Sequence, residues 1–191
     1  MLLHPATIDQ AAAKIGIYGG AGVGKTLTAT LIGIGLSKTY HKSKPICIVD
    51  GDSAAAFVKD ICDLEGVPLM RVPSYSFVDM RDGLKEAEAS CCVFIVDHYD
   101  GANRELLDSA RTALNLQGRR LGFHHRDEIL AVWNQWTRQM RESPLHVILN
   151  GRLAWEWEDI SDDAGDVQSI KVNTKMRGDS GYEPDLLIEL D

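Results

Sequence analysis

The sequence lacks most of the features that would place a chain in a membrane, on a disulfide scaffold or along a nucleic acid. No stretch approaches the ~18 consecutive apolar residues that a membrane span needs, so no spanning helix is expected. The opening "MLLHPATIDQ" has neither a basic lead nor a long apolar run, so no secretory leader is read. None of the four cysteines (Cys47, Cys62, Cys91, Cys92) stands in a C-x-x-C pair, which points to core thiols in a reducing cytoplasm. Positive charge is in deficit, with 20 Lys and Arg against 28 Asp and Glu and a net charge of −8. That deficit argues against attraction of nucleic acid by the whole surface and leaves only a local basic loop open. Repeats and low-complexity tracts are absent.

What is present is a chain of 191 residues, enough for one α/β domain with a substantial core. Short apolar runs alternate with helix-like windows, the pattern of βαβ units and a mostly parallel sheet. Strands are expected at Lys14–Gly19, Pro45–Asp50, Pro68–Val72, Cys91–Asp97 and Leu145–Asn150, with short late strands in "SIKVNTK" and "PDLLIELD". Helices are expected from the glycine-rich turn to about Thr39, from about Ser53 to Leu64, from about Phe77 to Ala89, after Asp100, and from about Asp127 to Arg141. Ile129, Trp133, Trp136 and Met140 recur at helical spacing and read as core. One domain covers residues 1–191, with a lead-in over 1–13 and a polar, acidic loop or hairpin over 151–168.

The sharpest motif is "GGAGVGKT", Gly19 to Thr26, in the form G-x-x-x-x-G-K-T. Glycines are needed there because backbone N–H groups must turn inward toward phosphate oxygens. Gly19, Gly20, Ala21, Gly22, Val23, Gly24 and Leu27 are therefore expected around a nucleotide. Lys25 would reach its β- and γ-phosphates and Thr26 would ligate Mg²⁺. A strand before and a helix after complete the context, and the helix offers its positive end to phosphate. A second acid fits this reading: "CCVFIVD" is an apolar run ending in Asp97, placed to hold Mg²⁺ opposite Thr26. "ICIVDGDSA" ends another strand in Asp50 and Asp52. Asp52 is the candidate to orient the attacking water, with a helix-capping role for Asp52 or Ser53 as the alternative. Asp100 reads as the cap of the helix that follows Asp97.

In this order the motifs resemble the RecA-like core of P-loop ATPases, and more closely the phage-type AAA ATPases related to RecA-like single-strand-annealing proteins. The resemblance runs from about Lys14 to Asp191. It implies a three-layer α/β P-loop fold with a mostly parallel central sheet and late antiparallel strands. It also implies ATP hydrolysis with Mg²⁺ in a bacterial or phage-infected cytoplasm, and work in DNA recombination, annealing or replication. Asp52 stands where that family carries a catalytic Glu one methylene longer. "VILNGR" matches its phosphate-sensing element, with Gly151 in place of a Gln and Asn150 and Arg152 as substitutes. Lys175 and Arg177 match a cation pair that family members reach into a neighbouring subunit's nucleotide. The resemblance therefore implies a ring or filament of copies. A solvated pair on a strand edge is the alternative for these two residues.

Single-stranded DNA and DNA-processing proteins are the implied partners. The one basic and aromatic cluster is "GRRLGFHHR", with Arg119, Arg120, Phe123 and Arg126 as candidate contacts. The acidic segment after Trp155 opposes phosphate instead. A switch or assembly ATPase that binds no DNA is therefore the second reading, and a small P-loop kinase the third. "NTKM" is not the N-K-x-D guanine reader, which argues against a GTPase. Lys25→Ala is expected to abolish ATP binding, measured by titration calorimetry, and wild-type affinity in that variant would remove the P-loop assignment.

Overall fold

A computed structural model describes residues 12–114, 123–161, 167–176 and 184–191. The elements, in chain order, are β1 (Lys14–Gly19), α1 (Lys25–Tyr40), β2 (Ile46–Asp50), α2 (Ala55–Leu64), β3 (Leu69–Val72), α3 (Phe77–Ser90), β4 (Val93–Asp97), α4 (Tyr99–Ala113), α5 (Phe123–Glu142), β5 (His146–Ser161), β6 (Val167–Met176) and β7 (Leu186–Leu190). The strands form one sheet in the order β3-β2-β4-β5-β1-β7, with β6 attached to β5. Every pairing is parallel except β5 with β6. Of the two late strands expected to be antiparallel, only β6 is; β7 runs parallel to β1.

Strand alternation divides the core between two helical layers. Ile46 and Ile48 of β2, Val93 and Ile95 of β4, and Ile148 of β5 pack with Ala29 and Ile34 of α1 and Cys62 of α2. Cys47, Val49, Phe94, Val96, Val147 and Leu149 face the other way, onto α3, α4 and α5. Both faces of the central strands are therefore buried, which is why those strands read as unbroken apolar runs. The aromatic stripe of α5 is core as expected: Trp133, Trp136 and Met140 are buried, and Trp133 lies 5.1 Å from the Tyr99 ring. All four cysteines are buried and free. No helix among the described residues is long and apolar enough to cross a membrane.

Of the two forms expected for the acidic segment, loop or hairpin, the paired strands agree with the second: β5 runs on past Asn150 and pairs antiparallel with β6 from Leu153↔Met176 to Ser161↔Val167. The alternation in "AWEWED" is the period of two that such a strand carries. One expectation needs correction. The helix expected from about Asp127 begins at Phe123, so part of the basic cluster is helix rather than loop.

At the opposite end of the sheet from the glycine turn, β5 begins on a pair of imidazoles. His146 Nδ1 accepts the Ala13 N–H at 2.9 Å, and its Nε2 lies 2.9 Å from His41 Nε2. One proton serves that contact, carried by His146, because its Nδ1 is already an acceptor. Burial, then the neighbouring His41 and Lys14, hold His146 below its ordinary value of 6.5. The unfolded chain thus takes up a proton that the folded chain refuses, so stability falls as pH drops below about 6.5. Melting temperature is expected to fall between about pH 7 and about pH 5.5, and His146→Gln to flatten part of that fall. An identical slope in the variant would show that the pair does not contribute.

Candidate nucleotide site

The C-terminal ends of the parallel strands bring the sequence candidates together. One register row crosses the sheet there: Asp50 of β2 lies beside Asp97 of β4, Asp97 beside Asn150 of β5, and Asn150 beside Ile17 of β1. After Ile17, β1 ends at Gly19 and the chain turns through Gly20–Gly24 into α1. Gly22 and Gly24 take the left-handed values φ 80° and 91°, which need glycine. Gly24 is the N-cap of α1, and neither a capping side chain nor an acid occupies that helix's first turn. Its orphan N–H groups and helix dipole are left for an external anion.

Lys25 folds back over the turn, donating to the carbonyls of Gly19 (3.2 Å) and Gly20. Burial sets its ammonium below the ordinary lysine value; Asp97 works against that shift and Arg152 adds to it. The Thr26 hydroxyl donates to the Asp97 carboxylate, joining α1 to β4 across 71 residues of sequence. Asn150 is fully buried, and among the described residues neither its amide N nor its amide O has a hydrogen-bond partner. The donor set suits a Mg²⁺-nucleotide: left-handed glycines, a hydroxyl–carboxylate pair of hard oxygens, a lysine on a helix start, and an unsatisfied amide beside them.

The two acids after β2 have different fates. Asp50 is consumed by structure: it accepts the N–H of Asp52 (3.0 Å) and of Ala55 (2.8 Å) and faces Arg71 Nε at 3.3 Å. Arg71 also binds the Asp50 carbonyl (3.0 Å) and Ser53 Oγ (3.1 Å), pinning the turn. The capping alternative for Asp52 and Ser53 is thereby corrected. Ala54 precedes α2 with no side-chain cap, and the buried Asp50 takes the first helical N–H. Asp52 keeps a 65% exposed side chain, 3.8 Å from His98 Nε2. Asp100 is not the cap of α4 either; His98 holds that position and Asp100 lies in the first turn.

His98 is the residue that sequence reasoning missed. It follows Asp97 through a cis peptide bond. Its Nδ1 lies 3.2 Å from Asp100 Oδ1, and its Nε2 accepts from Arg152 at 2.9 Å. The nearby Asp100 carboxylate lifts the imidazole above its ordinary value, against burial and the Arg152 guanidinium. Burial alone would raise Asp100, but His98 and Arg152 leave it below the usual carboxylate value. Nothing in the spacing of "VDHYD" marks His98, because two of its partners, Asp52 and Arg152, come from distant segments.

Other candidates stand apart. Lys175 is 3.7 Å from Glu156 on the same hairpin, and among the described residues no hydrogen bond or ion pair joins it to the P-loop. Arg177, Arg119 and Arg120 lie outside the described residues. Phe123 and Arg126 fall in the first turns of α5. Gly151, standing where the resemblance implies a Gln, is covered by Met176: a Cβ built on it would meet Met176 Cγ at 2.4 Å. Leu27, the last expected nucleotide neighbour, is 41% exposed on α1.

No family model and no curated protein matches the chain. Among solved structures it is similar to a KaiC-like protein from the hyperthermophilic archaeon Pyrococcus horikoshii OT3, with 14% identity and a TM-score of 0.42 over 91% of this chain and 82% of that one.

Gly19 serves two masters. It opens the P-loop, and a Cβ on it would stand 2.2 Å from the Leu190 carbonyl oxygen of β7, a backbone atom that cannot swing aside. Gly19→Ala is expected to cost about 1–3 kcal/mol of stability in urea unfolding, as overpacking does. Gly20→Ala, whose Cβ meets only the Val23 side chain at 3.6 Å, is expected to cost less. Equal losses would remove the β7 contact as the cause.

Proposed function

We propose that the chain is a Mg²⁺-dependent ATPase of the RecA-like kind. The observation that carries the reading is the bond between Thr26 and Asp97 beside a lysine-bearing glycine turn. It brings the two motifs separated in sequence to one point, with the hydroxyl and carboxylate that a phosphate-bound Mg²⁺ requires. Gly19, Gly20, Ala21, Gly22, Val23 and Gly24 would surround the phosphates with backbone N–H groups. Lys25 would pair with the β- and γ-oxygens, Thr26 would ligate Mg²⁺, and Asp97 would hold it through water. Bound Mg²⁺ neutralises charge on the β- and γ-phosphates. Asp52, exposed and not committed to the fold as Asp50 is, would orient the attacking water.

Lys175 and Arg177 are proposed to act on a neighbouring copy. Lys175 sits on the β5–β6 hairpin, with no hydrogen bond or ion pair to its own P-loop among the described residues. A DNA-processing role is supported by the motif order and by Arg119, Arg120, Phe123 and Arg126. The hairpin supports the second reading, an assembly or switch ATPase, because its strands carry Glu156, Glu158 and Asp159.

The test is turnover of ATP with Mg²⁺, with and without single-stranded DNA, alongside native mass with and without ATP. Mg²⁺-dependent turnover that falls at least tenfold in Asp52→Asn, with nucleotide affinity kept, is the expected outcome. Unchanged turnover in that variant would remove Asp52 as the catalytic acid. DNA stimulation that disappears in an Arg119→Ala, Arg120→Ala double variant would support the DNA role. ATP-driven assembly with no DNA effect would support the second reading.

A further inference from the structure

Asp52 stands on a turn, and its own side chain does little to fix it there. The carboxylate is 65% exposed, and its ion-pair partner among the described residues is His98 Nε2 at 3.8 Å, beyond hydrogen-bond length. Its direction is therefore set by the backbone of residues 50–54. That backbone is not relaxed. Ser53 takes a left-handed φ of 65°, which a serine keeps only where its surroundings hold it. One clamp on the turn is polar. The Asp50 carboxylate receives the N–H groups of Asp52 and Ala55, and Arg71 binds the Asp50 carbonyl and Ser53 Oγ.

The other clamp is an aromatic ring. Gly51 lies between the two acids, and Tyr75 fills the space that a side chain there would take. A Cβ on Gly51 would stand 2.3 Å from both Cδ2 and Cε2 of the ring and 2.4 Å from Cζ. Gly51 has no left-handed φ, so the ring and not the backbone is what calls for glycine. Tyr75 comes from the connection between β3 and α3, which is itself tied down. The Ser74 N–H donates to the Val72 carbonyl (3.0 Å), the Ser76 N–H to Ser74 Oγ (3.0 Å), and Ser74 Oγ to the Asp79 carboxylate (2.5 Å). The ring shares a void of only about 10 Å³ with Val49, Met80, Val96 and Ala102, so it has no room to withdraw from Gly51. Its centre lies 6.3 Å from that of the His98 ring, beside Asp97. The residue is 42% exposed, and among the described residues no hydrogen bond ties its hydroxyl.

We infer that Tyr75 is a positioning residue for Asp52: its ring, packed on Gly51, fixes the direction in which the turn presents the water-orienting carboxylate. The inference rests on the ATPase reading with Asp52 as its acid, and it adds a residue that acts only through the turn. Without the ring the turn is clamped from one side, and a carboxylate misplaced by about an ångström loses on the order of a hundredfold in rate.

Steady-state ATP turnover with Mg²⁺, read as kcat and KM separately, tests this. Tyr75→Ala is expected to lower kcat at least about tenfold and to leave KM within about twofold. The retained KM also reports a folded P-loop. Tyr75→Phe, which keeps the ring, is expected to retain most of the turnover. Gly51→Ala, which drives ring and turn apart, is expected to lower kcat in the parent and to add little once Tyr75 is replaced by Ala. In an Asp52→Asn background Tyr75→Ala is expected to cause no further loss, because it acts through that carboxylate. A kcat unmoved by Tyr75→Ala, a loss that appears in KM instead, or a loss of equal size with and without the Asp52 carboxylate would overturn the inference and leave the ATPase reading standing. Turnover indifferent to Asp52→Asn would overturn the role of Asp52 and this inference with it.

Discussion

The site depends on one topological constraint: β5 lies between β1 and β4. Two strand spacings, about 10 Å, then separate the P-loop strand from the strand that ends in Asp97. No side chain of β1 bridges such a gap directly. Helix α1 does so instead, crossing the sheet face so that Thr26 in its first turn meets Asp97. The inserted strand contributes the residue between them, Asn150, level with Asp97 on one side and Ile17 on the other. The same parallel ladders bury both faces of β4 and of the first half of β5 and align the ends of β1, β2 and β4 with Asn150 to Arg152 of β5 within a residue or two. A register slip of one residue would send Asn150 to the wrong face and move Arg152 away from Gly19. The fold is thus the positioning device, and the loops add little that the ladders have not already set.

Charge at these strand ends is arranged in grades of commitment. Asp50 is bound to two backbone N–H groups and an arginine, so its charge is spent on the turn after β2. Asp97 is bound to a hydroxyl, and among the described residues no ion pair holds its carboxylate, which suits it to a metal. Lys25 is bound to carbonyl oxygens, which are weaker partners than phosphate. Arg152 is bound to an imidazole, weaker still. The groups that would meet a nucleotide are the ones with replaceable partners, and those that hold the backbone are paired and buried. The net charge of −8 does not oppose this, because both cations sit at the one place where an anion is wanted.

How much of this was legible in the sequence depended on whether a feature is local. The glycine turn, Asp97 at the end of an apolar run, and the stripe Trp133, Trp136, Met140 are local patterns, and each stands where its spacing placed it. The division of labour between Asp50 and Asp52 was not legible, because Arg71 on β3, about 20 residues away, decides it. His98 escaped notice because its partners lie on the turn after β2, in α4 and on β5. The acidic segment was legible only as far as loop or hairpin, because its acidic composition reads as loop and its alternation of side chains as strand.

The positions that depart from the resembled pattern are also those where the structure supplies a different neighbour. Gly151 has no side chain, and Met176 from β6 fills the space one would have occupied. A long polar side chain at that position would have to displace Met176, and with it the start of the β5–β6 hairpin at Leu153↔Met176. The cation that faces the P-loop instead is the next residue, Arg152, which ends the β1 ladder just before β5 turns to pair with β6. Asp52, one methylene shorter than the expected acid, has His98 beside it, and His98 holds Arg152. The two departures are therefore not independent. A short acid, an imidazole and a displaced cation form one connected arrangement across β2, β4 and β5, and changing any one of them alters what the other two touch.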